Sequence, residues 1–301
     1  MDVVLAVHGG AGGLVSRELE PAVRAGVTAA LRAGQRALAD GSVAAVEAAV
    51  RALEDDPVFN AGKGSVFTSD ATHELDASIM RGSDLAAGAI AGVRNVRNPI
   101  TAARLVMSTP EVLLIGAGAE EFAARNGLEP VPQEYFWTRR RWEQLKGPGS
   151  VDGEYSTVGA VALDTSGDLA AATSTGGKTN KIPGRVGDSP VIGAGTYANN
   201  STVAVSATGN GEVYIQGAAA STISAMIEFG GWDVVSAASE VVLRRLPAQG
   251  GVGGVIALSA DGTFAAPHST PGMAHGFLMS NGEIVVNLRS SAKYPPTPAA
   301  D

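Results

Sequence analysis

Apolar residues first gather at Val3, Val4, Leu5, Ala6 and Val7, a run that predicts a short buried strand over residues 3–7. It leads into a glycine loop, His8-Gly9-Gly10-Ala11-Gly12-Gly13. A helical pattern covers residues 17–38. A second helix is predicted from Ser42, a residue type that caps helix N-termini. It sets Val43, Val46, Val50 and Leu53 on one face at spacings of 3, 4 and 3, and Asp55-Asp56-Pro57 ends it. Residues 60–65 form a glycine-rich loop. Residues 74–80 and 85–93 read as paired strands, 99–107 as a helix with proline in its first turn, 112–115 as a strand and 117–125 as a helix.

Residues 130–155 are polar and end in Gly147-Pro148-Gly149-Ser150-Val151-Asp152-Gly153, which reads as an exposed, cleavable linker. Strands are then predicted at 158–163, 169–173 and 203–208, helices at 211–228 and 232–245, a hairpin at 255–258 and 263–266 around Asp261-Gly262, and a last strand at 283–288. No internal repeat is visible. The elements do not alternate strictly as strand and helix, which favours sheets with helices outside them over a doubly wound parallel sheet.

A length of 301 residues suits about two domains or one large α/β domain. The chain is 45% hydrophobic and 17% charged, which fits a packed core and excludes disorder. Only 5% is aromatic, so that core is built from Ala, Val, Leu and Ile. Net charge is −8, and both parts are acidic: residues 1–156 hold 15 Lys+Arg against 20 Asp+Glu, and residues 157–301 hold 7 against 10. Nucleic acid and anionic membranes are therefore poor partners. Arg139-Arg140-Arg141 reads as a solvated helix face. Without cysteine there is no disulfide, thiolate nucleophile or cysteine metal site. The first residues carry no basic leader, and no apolar run approaches the ~18 residues of a membrane span, so a cytoplasmic protein is expected.

Most familiar catalytic patterns fail. Ala172-Thr173-Ser174-Thr175-Gly176-Gly177-Lys178-Thr179 resembles a phosphate loop, but Asn180-Lys181-Ile182-Pro183 cannot start the helix that such a loop needs. Gly193-Ala194-Gly195-Thr196-Tyr197-Ala198 imitates a dinucleotide fingerprint and again runs into no helix. No serine-hydrolase elbow is present, and Ser290-Ser291-Ala292-Lys293 lacks its companion motifs. His8, His73, His268 and His275 have no metal-ligand spacing. What remains is threonine beside glycine, around Thr157, Thr175 and Thr208. A threonine hydroxyl needs an adjacent base, and an N-terminal threonine carries its own in the α-amine, which titrates near ~8. By itself a threonine opening a strand is an ordinary structural residue. Thr157 also follows a linker, and cutting the Ser156–Thr157 bond would free its amine.

Longer motifs extend this reading. They are Phe59-Asn60-Ala61-Gly62-Lys63-Gly64, Asp76-Ala77-Ser78-Ile79-Met80, Asn98-Pro99-Ile100, Ala103-Arg104-Leu105-Val106-Met107, Thr157-Val158-Gly159-Ala160-Val161-Ala162 and Gly184-Arg185-Val186-Gly187-Asp188-Ser189-Pro190. In these the chain resembles the plant-type L-asparaginases, or isoaspartyl peptidases, of the N-terminal-nucleophile hydrolase class. The resemblance implies an α/β fold of the α+β type, a four-layer αββα sandwich. It forms one domain from two segments, residues 1–156 and 157–301. The implied activity is self-cleavage followed by hydrolysis of the asparagine side-chain amide and of β-aspartyl dipeptides, releasing aspartate.

By the same resemblance Thr157 is the nucleophile, Thr175 its supporting hydroxyl, and Thr208 and Gly209 the oxyanion donors. Arg185 holds the substrate carboxylate, Asp188 its ammonium, and Asn60 lies near the nucleophile. Carbonyls of Leu53, Glu54, Asp56, Phe59, Ala61 and Lys63 are implied to bind a structural sodium ion. No organic cofactor is implied, and the expected assembly is a homodimer of cut protomers. Ser156 stands where relatives usually carry Gly or Asp, and the linker before it is short. The alternatives are a glycosylasparaginase and a cleavage-defective binder of aspartyl ligands.

Overall fold

The computed structural model describes residues 2–147 and 157–288. Ser156 and the segment Ser290-Ser291-Ala292-Lys293 lie outside the described residues. In chain order the strands are β1 (Val3–Gly12), β2 (Leu75–Arg81), β3 (Ala87–Val93), β4 (Leu113–Ile115), β5 (Val158–Leu163), β6 (Leu169–Thr175), β7 (Thr196–Ala198), β8 (Val203–Gly209), β9 (Gly253–Ser259), β10 (Phe264–Ala265), β11 (Gly272–Met279) and β12 (Ile284–Asn287). The helices are α1 (Glu20–Ala37), α2 (Ser42–Glu54), α3 (Pro99–Val106), α4 (Gly116–Arg125), α5 (Arg139–Lys146), α6 (Gly211–Gln216), α7 (Ala219–Gly230) and α8 (Val234–Glu240). The last helix runs on through a π-helical turn, Val241–Arg245, into Leu246–Ala248.

Among the described residues, eight strands form one sheet in the order β12-β11-β1-β5-β6-β2-β3-β4, and four form another in the order β10-β9-β8-β7. Every pair is antiparallel except β3 with β4. Strands buried on both faces assign alternate residues to two different cores. Along β5, Val158, Ala160 and Ala162 join Leu5, Val46, Leu53 and Ile100 in the core beneath the early helices. Val161, from the other face, meets Ala204, Ile256 and Leu258 of the small sheet. A third core sets Val203, Val205 and Val255 against Ile223, Ala237 and Val242 of the late helices. Helices, sheet, sheet and helices stack as the expected four layers.

Several expectations need correction. Ser42 is not the cap of α2 but its first helical residue, and Gly41 precedes it. The N-terminus is capped from far along the chain, where Asp164 accepts the Ser42 N–H at 2.9 Å. Of the linker expected over residues 130–155, residues 130–147 are packed, and residues 148–155 lie outside the described residues. Phe136 is fully buried and its carbonyl accepts from Gly64 N at 3.1 Å.

The arginine cluster on α5 is a solvated face only at Arg139. Arg141 is 1% exposed and donates through Nε to Gly64 O at 2.7 Å, while Arg140 donates to Val58 O at 2.7 Å. Both guanidinium groups anchor the loop that carries Asn60. The helix expected over 211–228 breaks at Ala218, which adopts φ +43°. Two strands, β7 and β11, were not anticipated, and β11 pairs with β1 along most of its length.

Candidate active site

The register of the large sheet sets the site. Val158 pairs with Ser174, so Thr157 at the head of β5 and Thr175 at the end of β6 stand side by side. On the far side of β6, Thr175 pairs with Asp76. Thr157 and Thr175 are separated from Gly159 and Thr173 by two residues each, so they face the small sheet. On β8, Thr208 follows Ser206 by the same interval and looks back across the gap.

Thr157 Oγ1 donates to Thr175 Oγ1 at 3.1 Å. Thr175 Oγ1 also accepts from Gly177 N at 2.9 Å, which fixes its orientation and leaves its own proton to donate. Asn60 holds the same turn: its amide donates to Gly177 O at 2.7 Å, and its carbonyl oxygen accepts from Val66 N at 2.8 Å. Its backbone carbonyl accepts from Gly176 N at 3.0 Å. Asn60 therefore reaches the site through this turn.

Thr157, Thr175, Arg185, Asp188, Ser189 and Gly209 line one narrow cavity of about 10 Å³, roughly one water in the uncut chain. Gly209 has φ +152°, and a Cβ there would lie 2.4 Å from Val252 O, so only glycine fits. Thr208 is buried behind it, with Oγ1 accepting from Ala11 N at 3.2 Å.

Charges in the cavity are graded. Arg185 is gripped through Nε and Nη2 by Glu212, at 3.1 and 2.9 Å, and Lys178 reaches the same carboxylate at 3.0 Å. Burial pushes the Glu212 carboxyl up, but the hydrogen bonds from Arg185 and Lys178 outweigh it and bring the pKa to about 2. This fork leaves Nη1 aimed between Gly177 and Gly187, both on the cavity wall. Asp188 is almost fully buried, and that raises its pKa to about 7 against the pull of its own backbone and of Arg185. Its Oδ2 has no hydrogen-bond partner among the described residues. An ammonium group entering the cavity would supply one. His8 is buried and its pKa falls to about 3, so the ring is neutral.

The loop implied to hold sodium is compact. Glu54 O accepts from Lys63 N at 2.7 Å and Asp56 O from Phe59 N at 3.2 Å. A Cβ on Gly64 would come within 2.8 Å of Phe59 O and 2.5 Å of Pro57 O, so carbonyls crowd the inside of the loop. Carbonyl oxygens are the donors that a hard cation takes, and each keeps a second lone pair. The Asp56 carboxylate braces the loop by accepting from Val58 N at 3.0 Å, and the Glu54 carboxyl is turned away, accepting from Ser174 Oγ at 2.6 Å and Ile100 N at 2.9 Å. Burial raises its pKa to about 8, with those two bonds opposing. Among the described residues no group of three or more His, Cys, Asp or Glu side chains could hold a metal.

Of the residues named from sequence, the fold brings Thr157, Thr175, Arg185, Asp188 and Gly209 onto one cavity, with Thr208 and Asn60 just behind. Sequence reasoning missed Glu212, Lys178 and Ser189. An acidic residue in the first turn of a helix is ordinary dipole chemistry, so nothing distinguishes Glu212 before the fold is known. The two glycine-rich stretches that imitate nucleotide loops lead into a loop and into β7, not into helices. No helix among the described residues is long and apolar enough to cross a membrane.

The sequence matches the Asparaginase family over residues 1–150 and 147–286. It is 50% identical to the isoaspartyl peptidase of Escherichia coli (strain K12), with 90% of this chain and 91% of that one covered. It is 48% identical to the isoaspartyl peptidase of Salmonella typhimurium, covering 90% and 93%. It is 43% identical to the isoaspartyl peptidase/L-asparaginase of Homo sapiens, covering 91% and 92%.

Proposed function

The chain belongs to the asparaginase family, and from that premise we infer that Thr157 becomes the N-terminal nucleophile of an enzyme cut ahead of it. The protein is an amidohydrolase acting on L-asparagine and isoaspartyl peptides. Its mechanism follows from the cavity. In the uncut chain the Thr157 nitrogen is an amide and cannot act as a base. Cutting after Ser156 turns it into an amine beside its own hydroxyl. Thr157 Oγ1, oriented by Thr175, then attacks the side-chain carbonyl, and the amine takes its proton.

Gly209 N–H and the Thr208 hydroxyl receive the developing oxyanion. The amine returns the proton to the leaving ammonia or peptide amine, and water releases aspartate from the threonine ester. Arg185 Nη1 receives the substrate α-carboxylate, while Glu212 keeps the guanidinium plane fixed. Asp188 receives the α-ammonium, where ionic hydrogen bonding offsets its desolvation. Residues 1–156 and 157–301 then form one domain of two segments. The proposal includes a cytoplasmic homodimer of cut protomers and a carbonyl-bound sodium ion, with no organic cofactor.

One observation carries this reading: the Thr157–Thr175 hydroxyl pair shares a single cavity with Arg185 and Asp188. Incubated protein should yield two fragments, the smaller one beginning Thr-Val-Gly-Ala. Thr157→Ala should stay intact and fail to hydrolyse β-aspartyl-leucine. A fully active chain that stays intact would overturn the reading.

A further inference from the structure

Away from the cavity, the space between the two sheets is apolar on the far side of one polar row. In the large sheet, register aligns His8 with Gly159, Gly159 with Thr173, and Thr173 with Ser78, across β1, β5, β6 and β2. In the small sheet, Ser206 of β8 aligns with Thr196 of β7. All of these side chains are fully buried. They join across the gap into a continuous chain. His8 Nε2 lies 3.0 Å from Ser206 Oγ, and Ser206 Oγ 2.7 Å from Thr173 Oγ1. Thr196 Oγ1 lies 2.6 Å from Thr173 Oγ1. The Ser78 hydroxyl lies 2.8 Å from Thr196 Oγ1 and donates to the carbonyl of Ser189 at 2.6 Å.

On the side away from the cavity the next residues along these strands are Val161, Ala171, Met80, Ala6 and Ala204, whereas on the cavity side they are Thr157, Thr175, Asp76 and Thr208. Small hydroxyl residues are poor fillers of such a layer, and a buried polar chain is tolerated only when its members are satisfied together. Gly159 shows how closely the chain is fitted. A Cβ there would lie 1.9 Å from Ser206 Oγ and 2.5 Å from His8 Nε2. The glycine two residues after Thr157 is thus the opening through which the small sheet reaches His8.

One end of this chain, His8, sits against the backbone of Thr157, with which it hydrogen-bonds. The other ends on Ser189, a cavity residue adjacent to Asp188. We propose that the row His8–Ser206–Thr173–Thr196–Ser78 is a positioning device that holds the Thr157 strand and the Asp188–Ser189 turn at a fixed separation across the two sheets. The device rests on reading Thr157 as nucleophile and Asp188 as substrate anchor. Reaction requires an anchored substrate to bring its carbonyl to Thr157 within a fraction of an ångström, so slack between the two elements costs turnover. Self-cleavage uses the bond before Thr157 and no anchor at Asp188, so it is sensitive to one end of the row only.

The test compares self-cleavage rate, melting temperature, and kcat and KM on β-aspartyl-leucine. Thr196→Val keeps the shape and removes the hydroxyl at the Asp188 end. It should lower kcat/KM about tenfold, the loss expected from a misplacement of about half an ångström, and leave self-cleavage within about twofold. Thr196→Ser should restore turnover. Ser206→Ala, at the Thr157 end, should slow both reactions. If Thr196→Val fails to fold, Ser78→Ala makes the same cut in the chain. Wild-type turnover in Thr196→Val, no rescue by Thr196→Ser, or cleavage and turnover falling together with melting temperature would each overturn the device. Failure of the functional reading shows separately, as activity that survives in Thr157→Ala.

Discussion

Replacing Asp188 with asparagine should change the steepness of the pH profile as well as its height. Burial holds the Asp188 carboxyl near a pKa of about 7, far above the ordinary 3.8. An acid of that pKa is half ionised at pH 7 and only about 1% ionised at pH 5. If its carboxylate receives the substrate ammonium, the neutral acid is a poor anchor. On the same proposal, the amine that cutting would give Thr157, which titrates near ~8, must also lose its proton.

Two groups that must both be deprotonated give kcat/KM a slope of about 2 on a log scale below pH 6, about a hundredfold per unit. Asp188→Asn leaves the amine alone, so the plateau drops and the slope falls to about 1. Mature, cut enzyme assayed on asparagine between pH 5 and 9 distinguishes the cases. A slope of 1 in the wild type, or an unchanged slope in Asp188→Asn, would refute the assignment. Stability supplies a second readout. Folding raises this pKa, so its contribution is full below about pH 4 and is lost as pH rises through about 7. The loss amounts to about 4 kcal/mol, and Asp188→Asn escapes it. Melting temperature should therefore fall more steeply from pH 5 to 8 in the wild type than in the variant.

Arg141→Lys keeps the buried charge but loses the guanidinium that donates to Gly64 O and Gln144 Oε1. It should cost about 1–3 kcal/mol in chemical denaturation, and an unchanged midpoint would refute the anchoring role of α5. Replacing sodium with tetramethylammonium, which carbonyls cannot ligate, should lower the melting temperature. Saturation at a hundred times Kd is worth about 2.7 kcal/mol, and identical melting in both salts would exclude a stabilising ion in the 53–63 loop.

The long periodic elements were legible because burial and local pattern agreed in them. The α2 face of Val43, Val46, Val50 and Leu53 is buried as the spacing requires. The strand β11 escaped notice because Gly272, His275 and Gly276 interrupt its apolar run, and partners on both sides remove any alternation. Arg141 misled because charge normally marks solvent, and nothing local reveals that a backbone carbonyl waits in the interior. The site residues were legible from motifs resembling a family, since their chemistry is carried by residue type. Glu212 and the polar row were not: each exists only once the fold sets separate strands or loops side by side.

The sheet order has a consequence for the lifetime of the enzyme. β5 and β6, the first strands after Thr157, lie between β1 and β2, which come before it. The strand β11 closes over the other edge of β1. A chain cut ahead of Thr157 would therefore be two polypeptides interdigitated within one sheet, and neither could leave without unzipping the middle of the molecule. On that reading, folding would happen once, as a first-order event of a single chain. After the cut, unfolding sets the pieces adrift, and reassembly becomes a second-order encounter between fragments. The mature protein would then persist by the slowness of its first unfolding rather than by its capacity to refold.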